Sequence, residues 1–352
     1  MKKSYLMIAA AATLFAACAS NDSFKDVDTQ DSPITFEQAL YKTTRAHIAD
    51  KAALATEGGF IVYGYKKKTS ESNWTNAQTI FENVNVKSTN SGTSWAFDNL
   101  RFWDKNGTYN FFAIAPYAPT TGTYSLVDNT APTALKFKIT GAASAISTSS
   151  DDYLIDRDGA LGIDGAYTGT HDPVDIDFHH IMAKIEFKLK STLSTGTITV
   201  TRLVMTGWNS GVGTFTQTLT ATPSTLVNTE WTIPSAGTGD ITLVGTGASQ
   251  NTVVLTCDED ATPTNVTDWY IMVPQNIAAN TLTFTVDYTY TDGSYSETYD
   301  DQEAKLTAAQ VWGTDSHTTY TLDIKPAAIV FDVESICGFD VDGGQSAPVV
   351  VD

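Results

Sequence analysis

The stretch Ala183-Lys184-Ile185-Glu186-Phe187-Lys188-Leu189-Lys190 alternates apolar and charged residues after its first alanine. Successive side chains of a strand point to opposite faces. Ala183, Ile185, Phe187 and Leu189 therefore share one face, and Lys184, Glu186, Lys188 and Lys190 share the other. A period of two with one dry and one wet face predicts an antiparallel strand over a core. Working outward, the pattern recurs. Leu135, Phe137 and Ile139 alternate with Lys136 and Lys138. Downstream, Ile198–Val200, Leu203–Met205, Ile241–Val244, Val253–Leu255, Trp269–Val273 and Leu282–Tyr290 read as strands. Asp292-Gly293 between Tyr290 and Tyr295 is a hairpin signal. Upstream, Phe60–Tyr65 is β-branched and aromatic, Trp95–Phe97 and Arg101–Trp103 are strand pieces, and Tyr109–Ala115 ends at Pro116. Helix is expected only in the Ala-rich stretch 47–56 and at Glu303–Gln310. Many short strands separated by turn signals predict an all-β protein, with two antiparallel β-sandwich domains in tandem and one or two short helices. The 352 residues suffice for two domains of roughly 100–200 residues each. The Gly- and Asp-rich stretch 156–175 sets the expected division, 46–176 and 177–352.

Composition narrows the function. Hydrophobic residues make up 42% and aromatics 11%, which excludes a disordered chain. A net charge of −19 argues against nucleic acid and against anionic lipid head groups, both of which need clustered Lys and Arg. Cys18, Cys257 and Cys337 are the only cysteines, and no Cys-x-x-Cys occurs, so neither a zinc knuckle nor a thioredoxin-type site is supported. Whether Cys257 and Cys337 pair is left open by the sequence. There is no Gly-x-Gly-x-x-Gly, Walker loop, Gly-x-Ser-x-Gly or His-Glu-x-x-His, so neither a cofactor nor an enzyme is expected. His179-His180 with His171 is read as a strand-end pair, one ring buried and hydrogen-bonded and one exposed, in preference to a metal site. Asp156-Arg157-Asp158-Gly159 with Asp164-Gly165 resembles part of a calcium loop but lacks the terminal bidentate Glu. It is read as a solvated turn cluster, and Asp258-Glu259-Asp260 as a loop. Trp74, Trp95, Trp103 and Trp208 are read as core and not as a sugar platform.

The N-terminus carries export signals. Lys2 and Lys3 precede an apolar run, Tyr5 to Ala17, that is too short to span a bilayer and reads as a signal peptide over 1–17. Leu14-Phe15-Ala16-Ala17-Cys18 is similar to a bacterial lipobox, whose Cys thiol takes a diacylglycerol; the alternative is an ordinary cut after Ala17-Cys18-Ala19. Residues 19–33 are polar and acidic, as in a tether. Then comes Pro33-Ile34-Thr35-Phe36, in which Ile34 and Phe36 point to one face, followed by Thr44-Arg45-Ala46.

Five places together resemble the fimbrillin family, the type V pilins of Bacteroidota. They are Cys18 with its tether through Thr44-Arg45-Ala46; Thr108–Pro116; Asp177-Phe178-His179-His180-Ile181-Met182-Ala183-Lys184-Ile185; Trp269-Tyr270-Ile271-Met272-Val273-Pro274-Gln275; and Trp312 with Tyr320–Ile324. They occur in the family's order over nearly the whole chain. The resemblance implies two transthyretin-like domains, export as an outer-membrane lipoprotein through Cys18, and cutting between Arg45 and Ala46 by a trypsin-like protease. The cut would remove 18–45 with the leader strand of Ile34 and Phe36. A strand from another subunit would fill the gap, building a cell-surface pilus. Losing a strand exposes unpaired backbone and apolar side chains, a template for another strand. The expected donor is the C-terminal tail, through Ile329, Phe331 and Val333 or through Val349 and Val351; the alternative is that these segments pair within their own domain. The expected partners are other pilin subunits, the maturation protease, and a host protein or glycan. A non-polymerising surface lipoprotein or a tip adhesin binding glycan or host protein is the rival reading, and a hydrolase with a deep cleft a third.

Overall fold

The structure, a computed structural model, describes residues 32–40, 48, 50–117, 123–131, 134–140, 152–156, 160–166, 171–210, 213–218, 231–233, 238–266, 269–326 and 328–337. Strands are numbered in chain order. The first sheet has seven, in the order β1 (Phe36–Leu40), β9 (Val174–His180), β7 (Leu154–Asp156), β4 (Gly107–Ala115), β2 (Phe60–Lys68), β3 (Gln78–Val86), with β8 (Ala160–Asp164) also on β4. Its pairings are antiparallel except β1 on β9. β2 and β4 lie centrally and bury both faces, which is why Phe60–Tyr65 and Tyr109–Ala115 are apolar runs and do not alternate. Phe60, Val62, Phe111 and Ala113 enter one core with Phe81, Ile176 and Phe178. Ile61, Tyr63, Phe112 and Ile114 enter another with Ile181, Met182, Phe215, Trp231, Ile271 and Val273.

The one helix of the described residues, α1 (Lys51–Thr56), lies in the expected stretch. Asp50 caps it, accepting from the amides of Ala52 and Ala53 at 3.0 and 2.9 Å, and Leu54 is its buried residue. Gly59 then re-enters the sheet with φ +88°, where a Cβ would lie 2.1 Å from the carbonyl oxygen of Val86.

The second sandwich stacks two five-stranded sheets. One runs β16 (Thr264–Asn265), β10 (Ala183–Lys190), β22 (Ser316–Lys325), β23 (Ala328–Cys337), with β17 (Tyr270–Met272) also on β10. The other runs β14 (Thr238–Val244), β11 (Thr197–Asn209), β19 (Thr283–Asp292), β20 (Tyr295–Lys305), with β15 (Val253–Thr256) on β11. Ile185, Phe187 and Leu189 meet Ile198, Val200, Phe284, Val286, Tyr320 and Leu322 between them. Phe187 stacks on Tyr320 at 5.7 Å and meets Phe284 edge-on at 6.1 Å. The sheet break thus falls between His180 and Ala183.

Three expectations are corrected. β10, predicted as an antiparallel strand, runs parallel to β22 along its whole length, from Ala183 opposite Ser316 to Lys190 opposite Asp323, and is antiparallel only to the short β16 and β17. The polar face of β10 is wet only at its far end. Lys184 and Glu186 are buried, with Lys184 Nζ 3.6 Å from Glu186 and 5.2 Å above the Trp269 ring, and Glu186 3.2 Å from His317. Trp269 packs against the core of the first sheet's second face, so this end of β10 abuts that core and not water. Glu303–Gln310 is not a helix. β20 continues to Lys305, paired opposite Thr283, and β21 (Gln310–Trp312) pairs with β18 (Gln275–Ile277). The Asp292-Gly293 turn sets a long hairpin register, and Ala304 and Leu306 are drawn into the core.

A four-stranded sheet joins distant parts of the chain. Its order is β13 (Trp231–Thr232), β12 (Thr214–Thr218), β6 (Ala134–Thr140), β5 (Thr123–Ala131). Phe215 and Trp231 from it cover the first sheet's second face, and Trp231 Nε1 donates to the carbonyl of Ile181 at 2.8 Å.

Candidate functional site: the leader strand and its slot

The segment that starts the described chain is held from both sides. Its first residues pair with a loop. Ile34 N donates to the carbonyl of Arg101 at 2.8 Å, Trp103 N donates to that of Ser32 at 3.1 Å, and Pro33 bridges Phe102 antiparallel. It then crosses to the sheet. Val174 N donates to the carbonyl of Thr35 at 2.7 Å, and β1 runs parallel to β9 from Phe36 opposite Val174 to Leu40 opposite Phe178. Side chains alternate as a strand requires: Ile34 and Phe36 are buried, Pro33 and Glu37 exposed.

Phe36 is the plug. Its ring meets Phe81, Phe97 and Phe111 edge-on at 5.4, 5.6 and 5.6 Å. Phe81 belongs to β3, the far edge of the same sheet from β1. The sheet is therefore curled so that its two edges approach each other around one side chain. Burying Ile34 and Phe36 contributes about 1.5–3 kcal/mol each, a sizeable share of the roughly 5–15 kcal/mol that holds a domain folded.

Just past the leader lies a buried clasp. Ile48 N donates to Asp152 Oδ2 at 3.3 Å, and His180 Nδ1 lies 2.8 Å from Asp152 Oδ1. Ile48 and Asp152 are fully buried, and His180 closes β9, the strand that pairs with the leader. The chain leaving the leader is thus tied to the sheet the leader completes. His179, half-buried, approaches Asp177 at 3.3 Å, and His171 stacks on Trp103 at 4.3 Å while meeting the Gly165 carbonyl at 3.2 Å. The three rings have separate partners. Among the described residues, no group of three or more His, Cys, Asp or Glu is placed to hold a metal.

β23, expected to carry the donor residues, sits in its own sandwich. It pairs antiparallel with β22 from Lys325 opposite Ala328 to Ser316 opposite Cys337, and among the described residues its other side is the sheet edge. Phe331 and Val333 are buried, Ile329 packs against the same core, and the Phe331 ring lies 5.2 Å from Phe284. Cys18, Arg45, Ala46, Val349 and Val351 lie outside the described residues. Cys257 is a free, buried thiol. Trp103 and Trp208 are core, with Trp74 and Trp95 packed against it. Asp156, read as part of a solvated turn, is buried at the end of β7, because that strand lies between β4 and β9. Arg157–Gly159 lie outside the described residues, whereas Asp258–Asp260 form an exposed turn.

The sequence reading missed the clasp and a row of tyrosines on the β19–β20 hairpin, which runs from the buried Tyr288 to the exposed Tyr295. Asp152 has no local pattern to announce it. The tyrosines do: Tyr288, Tyr290, Tyr295 and Tyr299 surround the Asp292-Gly293 turn at even spacings on each strand.

A fimbrial protein from Bacteroides vulgatus has the same fold, with a TM-score of 0.63 at 20% identity, over 87% of this chain and 99% of that one. A candidate cell adhesion protein from Bacteroides uniformis aligns at TM-score 0.45 and 15% identity over 87% and 98%. A tip fimbrial protein from Porphyromonas gingivalis, truncated at its C-terminus, aligns at 0.38 and 9% over 88% and 100%. No curated protein matches by sequence. The family model described as fimbrillin-like matches residues 44–336, and the chain belongs to that family. It is a family of structural and adhesive cell-surface proteins, not of enzymes.

Proposed function

We propose that the chain is a structural subunit of a cell-surface type V pilus, exported as an outer-membrane lipoprotein through Cys18 and assembled by strand exchange. A trypsin-like protease cuts between Arg45 and Ala46, and β1 leaves its slot. A strand from the C-terminal part of another subunit then takes its place. The observation that carries this reading is the plug itself: Ile34 and Phe36 fill a slot flanked by backbone on both sides, so its loss leaves both unpaired edges and an aromatic cavity. The identity of the donor is supported by sequence mimicry. Ile34-Thr35-Phe36-Glu37 and Ile329-Val330-Phe331-Asp332 share the order Ile, β-branched, Phe, acid. Laid in the same register, Ile329 and Phe331 would occupy the sockets of Ile34 and Phe36.

Limited trypsin digestion of the chain lacking residues 1–17, followed by mass spectrometry and size-exclusion chromatography, tests the reading. An early cut after Arg45 with a ladder of oligomers is expected. Monomers only, after that cut, would refute it.

One observation favours a second reading. β23 is fully paired with β22 and its Phe331 and Val333 are buried at home. A subunit that keeps β23 there is a tip or non-polymerising adhesin, with a host protein or glycan as its partner.

A further inference from the structure

The β19–β20 hairpin runs past the end of the second core. Tyr288 marks the last fully buried layer: its hydroxyl donates to the carbonyl of Lys325 at 2.9 Å, while Tyr290 and Tyr299 are half-buried against the same core. Beyond it, on the same face, stand Tyr290, Tyr295, Glu297 and Tyr299, set by the pairings Tyr288 with Tyr299 and Tyr290 with Glu297. The Tyr299 ring stacks on Tyr288 at 4.9 Å, and the Tyr295 ring lies 6.2 Å from Tyr290. Tyr295 is 54% exposed, and Glu297 is exposed beside it.

The hydrogen bonding of this shelf is one-sided. The hydroxyls of Tyr295 and Tyr299 both donate to Glu297 Oε2, the second at 2.8 Å. The Tyr290 hydroxyl donates to the carbonyl of Thr195 at 3.2 Å, and Thr195 Oγ1 donates to Asp292 at 2.9 Å. All four phenolic protons are therefore committed. These side chains offer ring faces and carboxylate lone pairs, and none of their hydroxyl protons remains to donate. Cross-strand aromatic pairs that hold out a hairpin would account for the rings. They do not account for an exposed carboxylate fixed by two phenols.

A ligand must complement that inventory. A sugar hydroxyl both donates and accepts, and an anion only accepts; both would leave needs unmet. A guanidinium only donates, presents a planar fork of N–H groups that matches a carboxylate, and stacks on aromatic faces. We propose that Tyr290, Tyr295, Glu297 and Tyr299 form a binding site for an arginine side chain of a basic partner polypeptide. β20 itself also carries Asp300 and Glu303, both exposed on its other face, the latter 3.8 Å from Lys305, and the whole chain carries −19, so the overall field also favours a basic partner. Hydrogen bonds from Tyr295 and Tyr299 hold the Glu297 carboxyl below its ordinary range, and the same bond pushes the Tyr299 phenol up to about 12. The shelf keeps its anion and its protonated phenols across physiological pH. The site rests on the hairpin alone, and its failure would leave strand exchange untouched.

Fluorescence anisotropy of a labelled peptide of alternating Arg and Gly, titrated with the full chain at physiological salt, tests the proposal. The citrulline version of the peptide is the neutral isostere. Arginine peptide should bind more tightly than the citrulline peptide. E297Q should weaken it about fivefold and Tyr295→Ala about threefold. Glu259→Gln with Asp260→Asn, which removes two charges from the exposed 258–260 turn, should leave it nearly unchanged. Equal binding of both peptides would overturn the assignment. So would a loss from the 258–260 variant as large as that from E297Q, which would reduce the effect to net charge. Capture of neutral glycans that E297Q abolishes, without arginine-peptide binding, would assign the shelf to sugars instead.

Discussion

Two strands of this molecule carry the same four-residue pattern, and their settings are opposite. β1 presents Ile34-Thr35-Phe36-Glu37 to a slot that grips it from both sides: a loop antiparallel at Ser32–Ile34, then β9 parallel over Phe36–Leu40. Among the described residues β23 presents Ile329-Val330-Phe331-Asp332 to one neighbour only, but along its whole length. The leader's hold is short and concentrated in one aromatic ring. The hold on β23 is long and spread over a ladder. On the proposed mechanism the leader, held by a few concentrated contacts, would release as a unit once its covalent tie is cut, whereas a strand held along a ladder would need a competing site to leave. On that mechanism the vacated slot is such a site, because it would offer sockets for the same two side chains and edges on both sides.

The largest expected effect comes from freezing the second strand. Thr318 lies opposite Ser335 in the β22–β23 ladder. Thr318→Cys with Ser335→Cys should lock β23 at home when oxidised, leave cleavage after Arg45 unchanged, and abolish oligomer ladders on size exclusion. Adding reductant should restore them. Ladders that persist under oxidation would mean that β23 is not the donor.

The next effect separates the two aromatic plugs. Phe36→Ala should lower the stability of the uncut chain by about 3–5 kcal/mol, read by denaturant unfolding, and leave the cut chain unaffected. Phe331→Ala should cost a similar amount in both forms, because that ring belongs to the second core. A smaller change is expected at the clasp. Asp152→Asn weakens the acceptor for Ile48 N and for His180 together and should cost about 1–3 kcal/mol in the uncut and cut chains alike. A penalty confined to the uncut chain would show that the clasp serves the leader and not the sheet.

Much of this was legible in the sequence, for stated reasons. Ala183–Lys190 announced its strand and its buried face, since period-two alternation is a local property. Ile34 and Phe36 declared a common face, and both are buried. The Lys184–Glu186 end was misread because its cover, Trp269, comes from far along the chain. Glu303–Gln310 was misread because its helix-like composition gave way to a register set by a distant turn. The pairing of Ala134–Thr140 with Thr214–Thr218 has no sequence signal, since both are ordinary alternating stretches and only the fold brings them together.

The central claim is that the slot of β1 accepts β23 of another copy in one register. In that register Asp332 takes the place of Glu37, which lies opposite Asp175. The direct measurement mixes two chains, one carrying Asp175→Cys and one Asp332→Cys, both with Cys337→Ser, and follows disulfide-linked dimers by non-reducing electrophoresis. Cross-linking that appears only after cleavage at Arg45 is the predicted result. Complete release of the leader without any cross-link would contradict the account.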